Sequence, residues 1–267
     1  MKNDLKLNAQ VGELEQILND AENWAREAGV LAKKYFRQTH RVEFKSDESP
    51  VTVADKLIEH ELKKAIAAKY PEDGIFGEES GVDGSLTENL WIIDPIDGTR
   101  SFISGNPFFG LLLAYVKQGV VQGGLISMPI LDEIYCGAKG CPSTCNGKPI
   151  RVSGQTNIDD AIIYINEGDK LIAEQPQVLD RLLKAGKTRR FSYDCYPHAL
   201  LSAGHVDCVV DYGLKPYDFL AVSPVVEAAG GIMTDWQGNP LTLSSGGAVV
   251  SSASAQLHDD ALQLLNP

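Results

Sequence analysis

The chain has 267 residues, of which 43% are hydrophobic and 25 are glycine, so it is long enough for one large domain or two closely packed ones around a substantial core. Its 36 acidic side chains outnumber 24 basic ones and give a formal charge of −12, which argues against nucleic acid and anionic membrane surfaces as partners. No window approaches the roughly 20 continuous apolar residues that a membrane span needs, and the first residues carry no secretory signal, so a cytoplasmic location is expected.

The first half of the sequence predicts two amphipathic helices followed by an antiparallel sheet. Apolar residues at helical spacing place the helices at 11–39 and 52–70, and Pro71 ends the second. A short strand and a polar loop at 41–50 lie between them. Turn residues then separate a series of apolar segments that we predict as strands: 74–77, 90–93, 108–116, 119–129, 133–139 and, after the turn in NGKPI (146–150), one more.

The second half alternates strands with helices, and the whole chain indicates a layered α/β sandwich. We predict strands at 161–166, 189–194, 206–213, 231–236 and 248–253, and helices at 171–185, 197–203, 217–229 and about 254–265. The change of pattern suggests an N-terminal part, 1–150, and a C-terminal part, 151–267, within one compact unit.

Five cysteines are an odd number in this chain. The spacing of Cys136, Cys141 and Cys145 matches no common zinc knuckle, and a fourth ligand would be missing. Free thiols in a hairpin are therefore favoured over a zinc site.

The stretch DPIDGTRSF (94–102) places two carboxylates three residues apart, directly after the apolar run 90–93. Two acids so close repel each other, so a cation, a proton or a hydrogen-bonding partner must lie with them. Further acids lie at the ends of other predicted elements: Asp55, Glu78, Glu79 and Asp218. Each acid has an ordinary alternative role: Asp55 or Asp218 can cap a helix, Asp94 can form an Asx turn, and Glu-Glu in a loop can be solvated.

Taken together, these acids indicate a site for hard divalent cations. Oxygen ligands, with no His or Cys among them, favour Mg2+ over zinc or copper. Asp94 can bridge two ions, and the other predicted ligands are Glu78, Asp97, Asp218 and the carbonyl of Ile96. Gly98-Thr99 then opens a predicted helix or turn whose free N–H groups can hold a phosphate. This set suits two-metal transfer of a phosphoryl group to water, with Thr99 touching the water and Asp55 accepting its proton.

These motifs resemble those of the inositol-monophosphatase family of Mg2+-dependent phosphomonoesterases. The resemblance rests on SPVTVAD (49–55), GEES (77–80), WIIDPIDGT (91–99), NGKPI (146–150) and PYDFLAVSPVVEAAGG (216–231). It implies a five-layer αβαβα sandwich, a homodimer, two or three Mg2+ per site and inhibition by Li+.

The resemblance also implies a role for each matching residue. Glu78, Asp94, the Ile96 carbonyl, Asp97 and Asp218 are similar to the metal ligands, Thr99 and Asp55 to the pair that activates water, and the Gly98 and Thr99 amides to the phosphate cradle. Glu79 is similar to the acidic residue beside the ligands and is counted here with the catalytic residues. Lys45 is similar to the lysine of the mobile active-site loop.

The sequence departs from the inositol-type pattern after DGT, where Arg100-Ser-Phe stands in place of Thr-Asn-Phe. Together with SYDCYPHALLSAGHVD (192–207) and DYGLKPYD (211–218), this resembles the histidinol-phosphate phosphatase branch. Histidinol carries an amine and an imidazole, and a pocket for such groups needs carboxylates. Asp194 and Asp211 are the predicted substrate-binding acids, although each can also be a surface or capping aspartate. Arg100 either touches the substrate, pairs with a carboxylate or is solvated.

The favoured function is hydrolysis of L-histidinol phosphate, a small phosphate monoester. The same chemistry on inositol phosphate, or on sugar or nucleotide monophosphates, is the alternative. A non-catalytic sensor of phosphometabolites or cations is disfavoured because all the key acids are present. His198 and His205 are not expected to act in catalysis.

Overall fold

A computed structural model of the chain describes residues 2–38, 42–44, 50–83 and 88–266, with side chains from Val11 onward. Its helices are α1 (Lys2–Tyr35), α2 (Val53–Lys69), α3 (Thr99–Ser104), α4 (Gly168–Glu174), α5 (Pro176–Leu182), α6 (Tyr196–Ser202), α7 (Pro216–Phe219), α8 (Ser223–Ala228) and α9 (Ala255–Leu265). Its strands are β1 (Glu43–Phe44), β2 (Pro50–Val51), β3 (Gly74–Gly77), β4 (Gly81–Asp83), β5 (Asn89–Asp97), β6 (Gly110–Lys117), β7 (Val120–Met128), β8 (Glu133–Ala138), β9 (Cys141–Cys145), β10 (Lys148–Pro149), β11 (Ile162–Asn166), β12 (Thr188–Ser192), β13 (Cys208–Asp211), β14 (Ile232–Asp235) and β15 (Val249–Ser252).

Two sheets organise the molecule. The larger has eight strands in the order β10-β9-β8-β7-β6-β5-β3-β4, and its neighbours are antiparallel except for the parallel pair β3/β5. The smaller has five strands in the order β12-β11-β13-β15-β14, with β11 parallel to both β12 and β13. The larger sheet ends before residue 150 and the smaller begins after it, while the division into parts 1–150 and 151–267 stays a prediction.

Helices and sheets alternate in layers, and the described residues form three apolar cores between them. The helices α1 and α2 cover one face of the larger sheet, and α6 and α8 lie between the two sheets. On the outer face of the smaller sheet, α5 and α9 close a third core. The run 90–93 of strand β5 is continuously apolar because both faces of the strand are covered: Trp91 and Ile93 enter the first core and Ile92 the second, since successive side chains point to opposite faces. The predicted α/β sandwich of the αβαβα type is confirmed.

Two of the predicted helices are each divided in the structure. The helix predicted at 171–185 is α4 followed by α5, because Pro176 lacks an N–H and takes the first position of a new helix. The helix predicted at 217–229 is α7 followed by α8, which has Pro224 in its first turn. The thiols of Cys136, Cys141 and Cys145 are free in the β8/β9 hairpin, as predicted. None of the described helices is long and apolar enough to span a membrane.

Candidate active site

A bulge in β5 brings Asp94 and Asp97 to the same site. In a regular strand, residues three apart point to opposite faces of the sheet. Here the register shifts between the pairs Asp94↔Leu112 and Asp97↔Gly110, so that three steps along β5 match two along β6. Carboxylate oxygens of Asp94, Asp97 and Asp218 consequently all lie within 4.8 Å of one another. We call these three residues the metal cluster.

The backbone next to each acid of the metal cluster fixes that acid. The Asp94 carboxylate accepts a hydrogen bond from the Ile96 N–H at 3.0 Å, which is the Asx turn that the sequence allowed. Asp97 accepts from the Cys195 N–H at 2.6 Å, and Asp218 from the Lys215 N–H at 2.6 Å at the start of α7. The local capping roles and the shared cluster are therefore compatible, since each carboxylate has further oxygen lone pairs.

Burial and mutual repulsion disfavour the ionised form of the metal cluster. The pKa of Asp94 is raised by burial and further by the charges of Glu78, Asp97 and Asp218. The pKa of Asp97 is raised by burial and by Asp194 and Asp218. Burial raises the pKa of Asp218 to about 7, with Glu78 adding to the rise. Cations would relieve this repulsion, and a set of oxygen ligands with no nitrogen or sulfur, buried at Asp94 and Asp97 and half-buried at Asp218, fits Mg2+.

Glu78 and Glu79 follow β3 in a turn that leads back toward the metal cluster. The Glu78 N–H donates to the carbonyl of Ile93 on β5 at 3.0 Å, and the charge of its carboxylate raises the pKa of Asp94. Glu79 is half-buried in the same turn. The sequence did not identify Glu59 of α2, which is buried and accepts hydrogen bonds from this turn. Its position one helical turn after Asp55, beside the apolar face of α2, is the signal that would have found it.

Asp55 and Thr99 form a buried pair beside the metal cluster. The Thr99 hydroxyl lies 3.2 Å from the Asp55 carboxylate and 3.2 Å from the Ile96 carbonyl, and it can donate to only one of them at a time. Asp55 also accepts from the Thr52 N–H at 2.9 Å and from the Thr52 hydroxyl, in a capping box at the start of α2. Burial raises the pKa of Asp55 in spite of these hydrogen bonds. A carboxylate in this position can accept a proton through the threonine hydroxyl.

The turn at Gly98 places α3 directly against Asp194. Gly98 has φ 86°, and a Cβ there would lie 2.4 Å from the carboxylate carbon of Asp194, so a larger residue is excluded on both grounds. The Asp194 carboxylate accepts from the Ser101 hydroxyl at 2.6 Å. The sequence predicted Asp194 at the substrate side, and the structure places it beside both the metal cluster and the first turn of α3.

A cavity of about 640 Å³ opens beside Asp194. Its polar wall includes the carboxylates of Glu167 and Asp194, which we call the cavity carboxylates, and its apolar wall includes Ile172, Phe191 and Tyr193. Glu167 directly follows β11 and Asp194 lies two residues beyond β12; because these strands are parallel neighbours, both acids reach the same edge of the sheet. Burial raises the pKa of Asp194 to about 7, and Glu167 adds to the rise. Glu167 was not predicted, since strand order cannot be read locally.

Asp211 lies behind the cavity rather than in its wall. Its carboxylate accepts from the Asn166 amide at 2.6 Å and lies 3.4 Å from the His198 ring, whose other nitrogen contacts the Ser251 hydroxyl at 2.7 Å. Asn166 also donates to the Asp194 carbonyl at 3.0 Å. Asp211 and His198 thus form a buried network that supports Asp194, and Asp211 is not placed to touch a ligand in the cavity.

Of the remaining predicted residues, Arg100 lines the cavity, and its side chain is 63% exposed. Its guanidinium lies 3.7 Å from the carboxylate of Asp169. It pairs with a carboxylate, which was one of its predicted roles. Lys45 lies outside the described residues.

Comparisons with known proteins show the family to which the chain belongs. The model of the inositol monophosphatase family matches residues 13–266. A histidinol-phosphatase of Chlorobaculum parvum is 38% identical over 84% of this chain and 88% of its own length, and the chloroplastic bifunctional phosphatase IMPL2 of Arabidopsis thaliana is 36% identical over 89% of this chain and 71% of its own. The solved inositol monophosphatase of Zymomonas mobilis superposes with a TM-score of 0.85 at 37% identity and covers 95% of this chain and 98% of its own. The chain belongs to the inositol monophosphatase family and is a metal-dependent phosphoric monoester hydrolase.

Proposed function

We propose that the substrate is a phosphate monoester whose alcohol part carries a positive charge, and that L-histidinol phosphate is the natural one. The observation that carries this proposal is the position of the cavity carboxylates. Glu167 and Asp194 line a cavity that adjoins the metal cluster, so a phosphate held at the cluster would place its alcohol part against two acids. A polyol makes poor use of these carboxylates, whereas an ammonium or imidazolium group pairs with Asp194 and shares Glu167 with Lys170, which lies 2.7 Å from it.

Mg2+ is the cofactor in this proposal, held by the carboxylates of the metal cluster together with Glu78 and the Ile96 carbonyl, and two or three ions per site are proposed. When bound, the ions supply positive charge that attracts the phosphate dianion and eases loss of a proton from the attacking water. Thr99 orients that water with its hydroxyl oxygen, and Asp55 takes the proton through the same hydroxyl. The Gly98 and Thr99 amides hold phosphate oxygens, and Glu79 supports the ligands from the neighbouring turn.

The cavity carboxylates also give a reason for a preference between substrates. Without a cation beside it, the half-buried Asp194 is costly to ionise, because desolvation and the neighbouring Glu167 raise its pKa. A cationic substrate group restores its ionised form, and the Ser101 hydroxyl keeps the carboxylate in place. The 38% identity to a histidinol-phosphatase supports the same choice.

Inositol monophosphate is the second candidate, because the solved relative at 37% identity is named for that substrate. A homodimer and a cytoplasmic location stay predictions.

The test is a comparison of kcat/KM for L-histidinol phosphate, inositol 1-phosphate and glycerol phosphate, with Mg2+ at saturation. We expect the histidinol ester to be preferred by about tenfold or more, since one hydrogen bond to a charged group contributes about 1.5–3 kcal/mol. An equal or greater rate with the inositol ester would contradict the proposed substrate but not the hydrolase activity.

A further inference from the structure

We infer that Glu59 is a positioning residue that sets the metal affinity of the site, by fastening the turn that carries Glu78 and Glu79 to helix α2. This inference rests on the proposed role of Glu78 as a metal ligand. Glu59 itself lies behind the turn and has no part in the reaction proposed above.

Glu59 accepts hydrogen bonds from the backbone of the turn that follows β3. Its side chain is buried, with 2% of the residue exposed. One carboxylate oxygen accepts from the Glu79 N–H at 2.8 Å, and the other accepts from the Ser80 N–H at 3.0 Å and from the Ser80 hydroxyl. Three donors of one turn thus converge on a single side chain, and two of them are backbone groups that would lose their acceptor without it.

The chain leaves space for this carboxylate at Gly77. A Cβ on Gly77 would lie 2.4 Å from the carboxylate carbon of Glu59 and 2.5 Å and 2.6 Å from its oxygens. Gly77 is the last residue of β3 and directly precedes Glu78. The glycine and the buried acid are therefore parts of one packing arrangement at the point where the chain enters the turn.

Helix α2 connects this turn to the water-activating pair. Asp55 and Glu59 are four residues apart and both are buried, so they lie on the same face of the helix. Asp55 reaches Thr99 beside the metal cluster, and Glu59 reaches the backbone at Glu79 and Ser80. One rigid helix thereby sets the distance between Asp55, the proton acceptor, and Glu78, the acid beside Asp94.

A carboxylate is needed at position 59 because all three of the groups that hydrogen-bond to this side chain are hydrogen-bond donors. A glutamine of the same shape offers one acceptor oxygen, and its NH2 group would face a backbone N–H. In Glu59→Gln the turn must shift or rotate, and Glu78 with it. Substituting a residue that orients a metal ligand typically lowers metal affinity by about 10-fold to 100-fold, and we expect a loss in that range.

The experiment measures Mg2+ and Mn2+ binding to the metal-free protein by calorimetry, with no substrate present. Glu59→Gln should weaken binding by about 10-fold to 100-fold. Ser80→Ala keeps both backbone donors and removes the hydroxyl of an exposed residue, which donates to Glu59 and accepts from Lys63 Nζ at 2.8 Å. It should weaken binding less, in the same direction. Glu61→Gln is the matched control: it makes the same chemical change two residues along α2, where Glu61 is 46% exposed and lies 4.0 Å from Lys64. It should bind metal as the unmodified protein does.

Kinetics give a second readout. At saturating Mg2+ the Glu59→Gln variant should regain most of its kcat, with KM for the phosphate ester little changed, whereas a general loss of structure would lower kcat at every Mg2+ concentration. A folded Glu59→Gln variant that binds metal with unchanged affinity overturns the inference. If Glu59→Gln does not fold, an unchanged affinity in Ser80→Ala overturns it instead. Failure of the unmodified protein to bind either metal would overturn the proposed metal site itself, so the two failures are distinguishable.

Discussion

The metal cluster and the cavity carboxylates are both acidic, but they are built differently. Asp94, Asp97 and Asp218 converge within 4.8 Å, and each accepts a hydrogen bond from a backbone N–H. Glu167 and Asp194 instead follow neighbouring parallel strands and are held by side chains, with Lys170 2.7 Å from Glu167 and the Ser101 hydroxyl on Asp194. The first group has the density of charge that a small hard cation needs.

The second group has less charge and more apolar surface, because Ile172, Phe191 and Tyr193 share its cavity. Such a site fits an organic cation, whose charge is spread over a larger body. Net charge alone therefore says little about what an acidic site binds. The spacing of the acids and the surfaces between them decide whether the partner is a metal ion or part of a substrate.

The largest expected effect follows from Asp94→Asn, which tests the metal cluster. The amide oxygen can still accept from the Ile96 N–H, so the turn and the fold should remain. We expect metal affinity to fall by more than about 100-fold, beyond the usual cost of changing an outer partner, and phosphatase activity to fall to background. Calorimetry and phosphate release measure the two effects. Substantial turnover in this variant would exclude a bridging role for Asp94.

Asp55→Asn should have the next largest effect, and it should separate proton transfer from metal binding. General-base catalysis contributes about 100-fold or more, so kcat should fall by at least that factor. Metal affinity should change little, because Asp55 contacts Thr52 and Thr99 rather than the metal cluster. Single-turnover rates with a metal titration test both statements. An equal loss of metal affinity would place Asp55 among the ligands.

The sequence predicted the metal cluster better than the cavity because the first depends on local patterns. Asp94 and Asp97 lie in one motif after an apolar strand, and Asp218 lies at the start of a recognisable helix. Glu167 gave no such signal, and Glu59 gave only its position one helical turn after Asp55, since the partners that define their roles, Asp194, Glu79 and Ser80, lie 20 or more residues away in the chain. Their roles depend on strand order and on how α2 packs, and neither is encoded within a short segment.

The fold shows the same limit at smaller scale. Apolar periodicity predicted the layers and most elements, but two of the predicted helices are each divided at a proline. Pro176 is the first residue of α5 and Pro224 lies in the first turn of α8, and proline in these positions was a visible signal. Pro95 is the one local sign of the bulge between Asp94 and Asp97, and its effect on the two side chains could not be predicted because it depends on the register of β5 against β6.

Changing the cavity carboxylates should alter substrate preference rather than chemistry. In Asp194→Asn the amide oxygen can still accept from Ser101, so the cavity should keep its shape. We expect KM for L-histidinol phosphate to rise by about tenfold, which corresponds to the loss of one hydrogen bond to a charged group. KM for inositol 1-phosphate should stay nearly unchanged, and Glu167→Gln should act in the same direction. Asp180→Asn, a change on the exposed face of α5 where the side chain is paired with Lys184, is the control. Equal rises for both substrates would argue against recognition of charge.

The smallest expected effect is on the free energy of unfolding. Measuring it with and without Mg2+ tests the repulsion within the metal cluster. Burial and neighbouring acids raise the pKa of Asp218 to about 7, above its ordinary value of 3.8. A carboxyl group with a raised pKa in the folded state binds its proton more tightly there than in the unfolded chain. Its contribution to stability is therefore largest below about pH 4 and is lost as the pH rises toward 7.

Other groups titrate in the same range, so the informative quantity is the difference in Tm between the metal-free protein and Asp218→Asn. We expect the unmodified protein to lose stability relative to the variant between about pH 4 and pH 7, and the difference to stay flat above that. Mg2+ should reverse the loss at pH 7 and have little effect at pH 4, where the cluster already holds protons. A Tm difference that does not change with pH would mean that Asp218 ionises freely in the folded protein. It would contradict the repulsion that we ascribe to the acids of the metal cluster.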